Sequence, residues 1–164
     1  MRQLRSINPP FPETENAMTE KPTLTLRRRI AAVPKLVYAA WTDPAMIAMW
    51  WGPAGAETLS AKADPRPGGR YHIVFTTPDG ESHDISGAYR DADPHSLLSF
   101  TWMWRTLPDR ASFVTLTFED DGAGGTNFTL HHSQFYDEAA RDRHEWGWTG
   151  ALDKLVEMFA DKQA

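Results

Sequence analysis

The sequence predicts an α+β fold, in which a curved antiparallel sheet of about seven strands grips one long C-terminal helix. Three observations predict it. From Glu57 to Ser133 the chain alternates apolar and polar residues in six segments separated by turn signals. From Asp137 to Ala160 it runs without proline and carries a helical apolar stripe. Between a first alternating segment and the other six lie two short helical patterns broken by a proline.

Each element has its own justification. Thr23–Ile30 alternates and reads as the first strand. Pro34 opens a helix, because the first helical N–H is unpaired anyway. Leu36, Val37, Ala40 and Trp41 form its buried stripe. Asp43-Pro44 breaks this helix, and a second follows with Met46, Ile47 and Trp50 on one face, ending at Gly52-Pro53. The six later strands fall near 57–63, 70–77, 82–91, 96–105, 112–120 and 125–133. Pro67-Gly68-Gly69, Pro78-Asp79-Gly80, Asp93-Pro94, Leu107-Pro108-Asp109 and the run Asp121 to Gly125 separate them. Connections this short force antiparallel pairing, since parallel strands need a crossover. In the last helix Trp148, Leu152, Leu155 and Phe159 make the stripe, and His144 sits one turn earlier on the same face.

The chain of 164 residues suits one domain, assigned to residues 22–162, behind a proline-rich tail at 1–21 read as disordered. Met18 looks like a natural start. Seventeen Lys and Arg against twenty-two Asp and Glu give a net charge of −5, which argues against nucleic-acid binding. With no cysteine, disulfides, thiolate metal sites and a Cys nucleophile are excluded. No apolar run is long enough for a membrane helix, and the N-terminus has no apolar signal core, so a cytoplasmic protein with no membrane partner is expected.

Aromatic residues make up 12% of the chain, with seven tryptophans, several in tight pairs: Trp50-Trp51, Trp102 with Trp104, and Trp146 with Trp148. They fit either a tryptophan-rich core or a cavity walled by rings. Strand parity gives the inner face. Tyr71, Ile73 and Phe75 share it, as do His83, Ile85, Gly87 and Tyr89, then Leu98, Phe100, Trp102 and Trp104. Val114, Leu116 and Phe118 follow, and Phe128, Leu130 and His132, which turns His131 outward. A bulge would flip every later side chain.

His83, His132 and His144 thus point inward near tyrosines. Three imidazoles can ligate a metal or move protons, but their spacing matches no metal motif. No metal, no cofactor and no catalytic residue is assigned. The run Gly122 to Thr126 lacks the Lys-Ser/Thr and helix of a phosphate loop and reads as a hairpin turn. Arg27, Arg28 and Arg29 alternate sides of a strand and read as a solvated edge.

Several stretches carry a family resemblance. Val37-Tyr38-Ala39-Ala40-Trp41-Thr42-Asp43-Pro44, followed by Trp50-Trp51-Gly52-Pro53, resembles the opening of the activator of Hsp90 ATPase homologue family. Pro67-Gly68-Gly69-Arg70-Tyr71 is similar to its Gly-Gly-aromatic strand start. Gly87-Ala88-Tyr89, Leu97 through Trp102, Gly125-Thr126 and the ending from His144 to Leu155 fall in the same order over residues 22–160. The resemblance implies the helix-grip fold of the START-like (SRPBCC) superfamily, whose members include lipid carriers, hormone-binding proteins, polyketide cyclases and oxygenase subunits. Eukaryotic members of the nearer family stimulate the Hsp90 ATPase.

Function has to be argued from the site rather than the fold. The favoured reading is a binding protein for a small apolar or aromatic molecule, lipid or polyketide-like, held between sheet and C-terminal helix. Trp51, Tyr71, Ile73, Phe75, Ile85, Tyr89, Trp102, Trp104 and Trp148 would wall the site, and His83, His132 and His144 would orient a polar group. One alternative is a cyclase or dehydratase using cavity His and Tyr. The other is a chaperone-interaction module, for which Trp146, opposite the buried stripe, would mark the surface.

Overall fold

The computed structural model describes residues 20–163. The expected disordered tail over 1–21 therefore lies almost wholly outside the described residues, as does Met18. The elements run β1 (Leu24–Ile30), α1 (Pro34–Thr42), α2 (Pro44–Trp50), β2 (Glu57–Ala63), β3 (Arg70–Thr76), β4 (Ser82–Asp93), β5 (Leu97–Trp104), β6 (Ser112–Asp120), β7 (Thr126–Ser133) and α3 (Glu138–Gln163). This is the predicted α+β helix-grip. One antiparallel sheet has the order β1-β7-β6-β5-β4-β3-β2, so β1 leaves its neighbour in sequence to pair with β7.

Local chemistry sets the boundaries. Pro34 sits in the first turn of α1 and Pro44 in the first turn of α2. Pro44 also forces Asp43 out of helical geometry, and the Asp43 carboxylate then accepts the Ala45 amide at 3.0 Å as the cap of α2. The Asp137 carboxylate caps α3 in the same way, accepting the Ala140 amide at 2.8 Å. Gln134 takes a left-handed φ of 66°, and the chain turns there between β7 and α3 to send Phe135 into the core.

The inner face of the sheet packs on α3. Leu98, Leu116, Leu130, Leu152 and Leu155 are completely buried, each worth roughly 1.5–3 kcal/mol of apolar burial. Trp41 stacks on Phe128 with ring centroids 5.5 Å apart, joining α1 to the sheet. Leu36 departs from its assignment to the buried stripe of α1, being 46% exposed, and Tyr38 is buried instead. Tyr38 meets Phe118 edge-on at 5.4 Å, because α1 lies across the sheet on its Val37–Tyr38–Trp41 side.

At Gly87 the backbones of neighbouring strands approach closely. The β4–β5 ladder pairs Ser86 with Met103, lapses, and resumes with Tyr89 opposite Phe100. A Cβ at Gly87 would overlap the Thr101 carbonyl, and that carbonyl is satisfied by the Tyr71 hydroxyl, which donates to it at 2.6 Å. A strand glycine here permits the close backbone approach and the curvature that brings the sheet around the helix. A second irregularity follows between Tyr89 and Asp91. Beyond it Ser99 is fully buried, donating to the Asp91 carboxylate at 2.7 Å. The Gly122–Gly125 run is the β6–β7 hairpin turn. Among the described residues no helix is long and apolar enough to cross a membrane.

Candidate functional site

The core does not fill the whole space between sheet and helix. At the end formed by the C-terminus of β5 and the first half of α3 lies a cavity of about 1010 Å³, open to solvent on one side. Five of the seven tryptophans line it: Trp51, Trp102, Trp104, Trp146 and Trp148. Trp41 and Trp50 belong to the core behind them, and Trp50 donates its indole N–H to the Ala40 carbonyl at 2.9 Å. The tryptophans thus divide between rings packed in the core and rings that line this space.

Backbone parity places Trp102 and Trp104 side by side on the inner face of β5, ring planes 89° apart. Trp148 comes from α3 and meets Trp102 at 5.0 Å, while Trp51, just past α2, meets Trp102 at 5.8 Å. Lys154 of α3 fixes that wall by donating to the carbonyls of Trp51 and Pro53, both at 3.1 Å. The wall is apolar, and its polar groups are mostly committed to one another.

His144 shows this commitment. Its Nε2 accepts from the indoles of Trp102 at 3.2 Å and Trp104 at 2.9 Å. An indole nitrogen can only donate, so Nε2 is the lone-pair nitrogen and the proton sits on Nδ1, which donates to the Ala140 carbonyl at 2.7 Å. His132, fully buried, obeys the same logic in the other tautomer. Its Nδ1 accepts from the Trp148 indole at 3.0 Å, so Nε2 carries the proton and donates to the Ser112 hydroxyl at 2.7 Å. Burial pushes the pKa of His132 well below the ordinary imidazole value, helped by the nearby His144. Burial also lowers that of His144. Both are neutral rings fixed by tryptophans.

His83 stands apart at the cavity mouth, its ring stacked on Phe75 at 5.1 Å. Its Nε2 bonds the Thr77 hydroxyl at 3.0 Å, and that hydroxyl donates to Asp79 at 2.5 Å. The Asp79 carboxylate also accepts the Glu81 amide, and these bonds, the Thr77 one first, hold its pKa below the usual carboxylate range. Asp79, Glu81 and His83 place ligating atoms within 4.8 Å of one another. Two of the three are exposed turn residues, and the hairpin's own hydrogen bonds account for Asp79. The three inward histidines do not converge on one point: His132 and His144 lie 5.2 Å apart but have both nitrogens engaged.

Of the wall and anchor residues expected from sequence, the structure brings Trp51, Phe75, His83, Trp102, Trp104, His144 and Trp148 to the cavity. Tyr71, Ile73, Ile85 and Tyr89 share the inner face but sit farther along it, in the packed core. His132 lies behind the wall and reaches the cavity through Ser112 and Trp148. Loop residues complete the lining: Pro53 after α2, Leu107 and Arg110 between β5 and β6, and Phe135 and Tyr136 before α3. Phe135 is buried against His132 with ring centroids 4.1 Å apart. Arg110 lies 3.7 Å over the ring of Tyr136. Strand and helix periodicity carry no signal for such loop positions.

The architecture can be compared with known proteins. The profile of the family described as "Activator of Hsp90 ATPase homolog 1-like protein" matches residues 31–160. A search of curated proteins finds no match. Among solved structures, the AHSA1 protein of Silicibacter pomeroyi is similar, with 28% identity and a TM-score of 0.76 over 86% of this chain and 99% of that one. Protein CV1439 of Chromobacterium violaceum has 26% identity and a TM-score of 0.76, covering 84% of this chain and 96% of its own. CalU16 of Micromonospora echinospora has 26% identity and a TM-score of 0.61 over 84% and 74%. With its helix-grip sheet and a family match spanning most of its length, the chain belongs to the activator of Hsp90 ATPase homolog 1-like family, consistent with the START-like (SRPBCC) superfamily.

Proposed function

We propose that the protein binds a small apolar or aromatic molecule, lipid or polyketide-like, in the cavity between the sheet and α3. The observation that carries this reading is the lining: five indoles with Phe75 and Phe135 face a space of about 1010 Å³, at the upper end of the roughly 300–1,000 Å³ of small-molecule sites. Rings held by indole–imidazole bonds keep their positions, so the walls are preorganised rather than ready to collapse.

The alternative readings find less support. A cyclase or dehydratase needs a base facing its substrate. His132 and His144 have both nitrogens occupied, so proton transfer would fall to His83 at the mouth. A chaperone-docking role calls for a separate exposed patch, whereas Trp146, 70% exposed, belongs to the rim of the cavity.

The test is a binding screen by tryptophan fluorescence with fatty acids, sterols, flavonoids and polyketide mimics. A hit should quench Trp102, Trp104 and Trp148 and lose affinity in Trp104→Ala. The reading fails when no class binds at micromolar concentration, or when Trp104→Ala binds every hit as tightly as the parent.

A further inference from the structure

We infer that the inner wall of the cavity holds a dedicated hydrogen-bond donor, the Ser112 hydroxyl, and that the occupant is an apolar or aromatic molecule bearing a neutral acceptor oxygen, such as an aryl ketone or quinone. This rests on the cavity being a binding site.

The positions of the protons fix the donor. The Trp148 indole N–H donates to His132 Nδ1 at 3.0 Å, which leaves the imidazole proton on Nε2. That N–H donates to Ser112 Oγ at 2.7 Å. The Ser112 oxygen is therefore an acceptor toward His132, and its own hydrogen must go elsewhere. Among the described residues no acceptor receives it. Ser112 is only 6% exposed, it starts β6 opposite Trp102, and it lines the cavity. A buried hydroxyl without an acceptor is costly, and a ligand oxygen would remove that cost.

The surroundings define the acceptor. Trp102, Trp148, Phe135 and two neutral imidazoles surround the hydroxyl, so an ionised carboxylate bonded to it would face mostly apolar rings, with the lining cation Arg110 held over the Tyr136 ring. A carbonyl fits, needing one donor and little solvation. The same proton order excludes another role. Ser112 beside a histidine resembles a nucleophile and its base, but His132 Nε2 has no lone pair to take the hydroxyl proton. The pair is an anchor.

The test compares benzophenone with diphenylmethane, which differ by one carbonyl oxygen, by equilibrium dialysis against the parent protein and Ser112→Ala. Loss of one hydrogen bond should shift the ratio of the two dissociation constants about 5- to 10-fold toward diphenylmethane in Ser112→Ala. Ser112→Thr, which keeps the hydroxyl, should preserve the parent ratio. If both probes bind and the Ser112→Ala ratio stays within about twofold of the parent, the anchor is refuted while the cavity reading stands. If neither binds the parent protein, both fall. Should Ser112→Ala fail to fold, the imidazole ¹⁵N spectrum of the parent decides. It should show His132 protonated at Nε2 and bare at Nδ1, and the opposite tautomer overturns the assignment.

Discussion

Folding holds His132, fully buried, and His144, half-buried, as neutral rings, so mild acid should destabilise the protein well before its carboxylates titrate. In the unfolded chain each imidazole takes up a proton near pH 6.5. In the folded chain burial, joined at His132 by the neighbouring His144, moves both pKa values below that. Below about pH 6.5 the unfolded state then binds more protons than the native state, and unfolding free energy falls as pH falls. The contribution is fully present above that pH and is lost until each folded pKa is reached. Each ring is worth at most about 1.4 kcal/mol per pH unit, so the pair can remove up to about 2.7 kcal/mol between roughly pH 7.5 and pH 5.5. Asp79 and Asp121, held low by hydrogen bonds from Thr77 and from the Ala123 and Gly125 amides, act in a lower window, below about pH 4. The assay is urea unfolding at several pH values, for the parent and for His132→Gln, whose amide can accept from Trp148 and donate to Ser112. His132→Gln should shed at least about half of the acid sensitivity, because the His132 ring is the more strongly shifted of the two. Unfolding free energy that stays flat down to about pH 5.5, or a variant as acid-sensitive as the parent, would refute the neutral-ring account.

Three further perturbations follow from named contacts. His144→Ala strips the acceptor from two indoles, and with Trp102 only 5% exposed the orphaned N–H should cost about 2–3 kcal/mol in urea unfolding. His144→Gln, which keeps an acceptor oxygen, should recover part of that loss, and an equal loss in both variants would argue against the hydrogen bonds. Gly87→Ala would drive a methyl into the Thr101 carbonyl and the Tyr71 ring. It should cost about 3 kcal/mol or more, seen as a drop in Tm, and a neutral effect would mean the close approach is not fixed there. Lys154→Met removes two bonds to the loop carrying Trp51. It should weaken binding of an aromatic probe severalfold with about 1–2 kcal/mol of lost stability, measured by fluorescence titration and urea unfolding.

The fold was legible because alternation and stripe are direct consequences of one-sided burial. The inner-face residues Tyr71, Ile73, Phe75, Phe100, Trp102, Val114, Leu116, Phe128, Leu130 and His132 are all buried. The family match agrees with the resemblance carried by Trp50-Trp51-Gly52-Pro53 and by the ending from His144 onward. The cavity was half legible. Parity tells which face a side chain takes but not how far along the strand the packing ends, so Tyr71 and Trp104 look alike in sequence. Tyr71 packs in the core against Tyr89 and Phe100, whereas Trp104 lines the cavity beside His144. Phe135, Tyr136 and Arg110 sit in loops whose path is set by turns such as the left-handed Gln134, beyond any periodic signal. The tautomers were hidden as well. They depend on indoles from β5 and α3 meeting imidazoles distant in sequence, which no spacing rule conveys. Leu36 shows the limit from the other side, an apolar residue whose stripe position does not guarantee burial.

The central claim, that this cavity holds a small aromatic molecule, is tested most directly by a crystal structure grown with benzophenone. Density should lie between Trp102, Trp104 and Trp148, with the carbonyl oxygen within about 3 Å of Ser112 Oγ and both histidine networks intact. Density only on the outer surface, or a cavity closed by its own tryptophans, would contradict it.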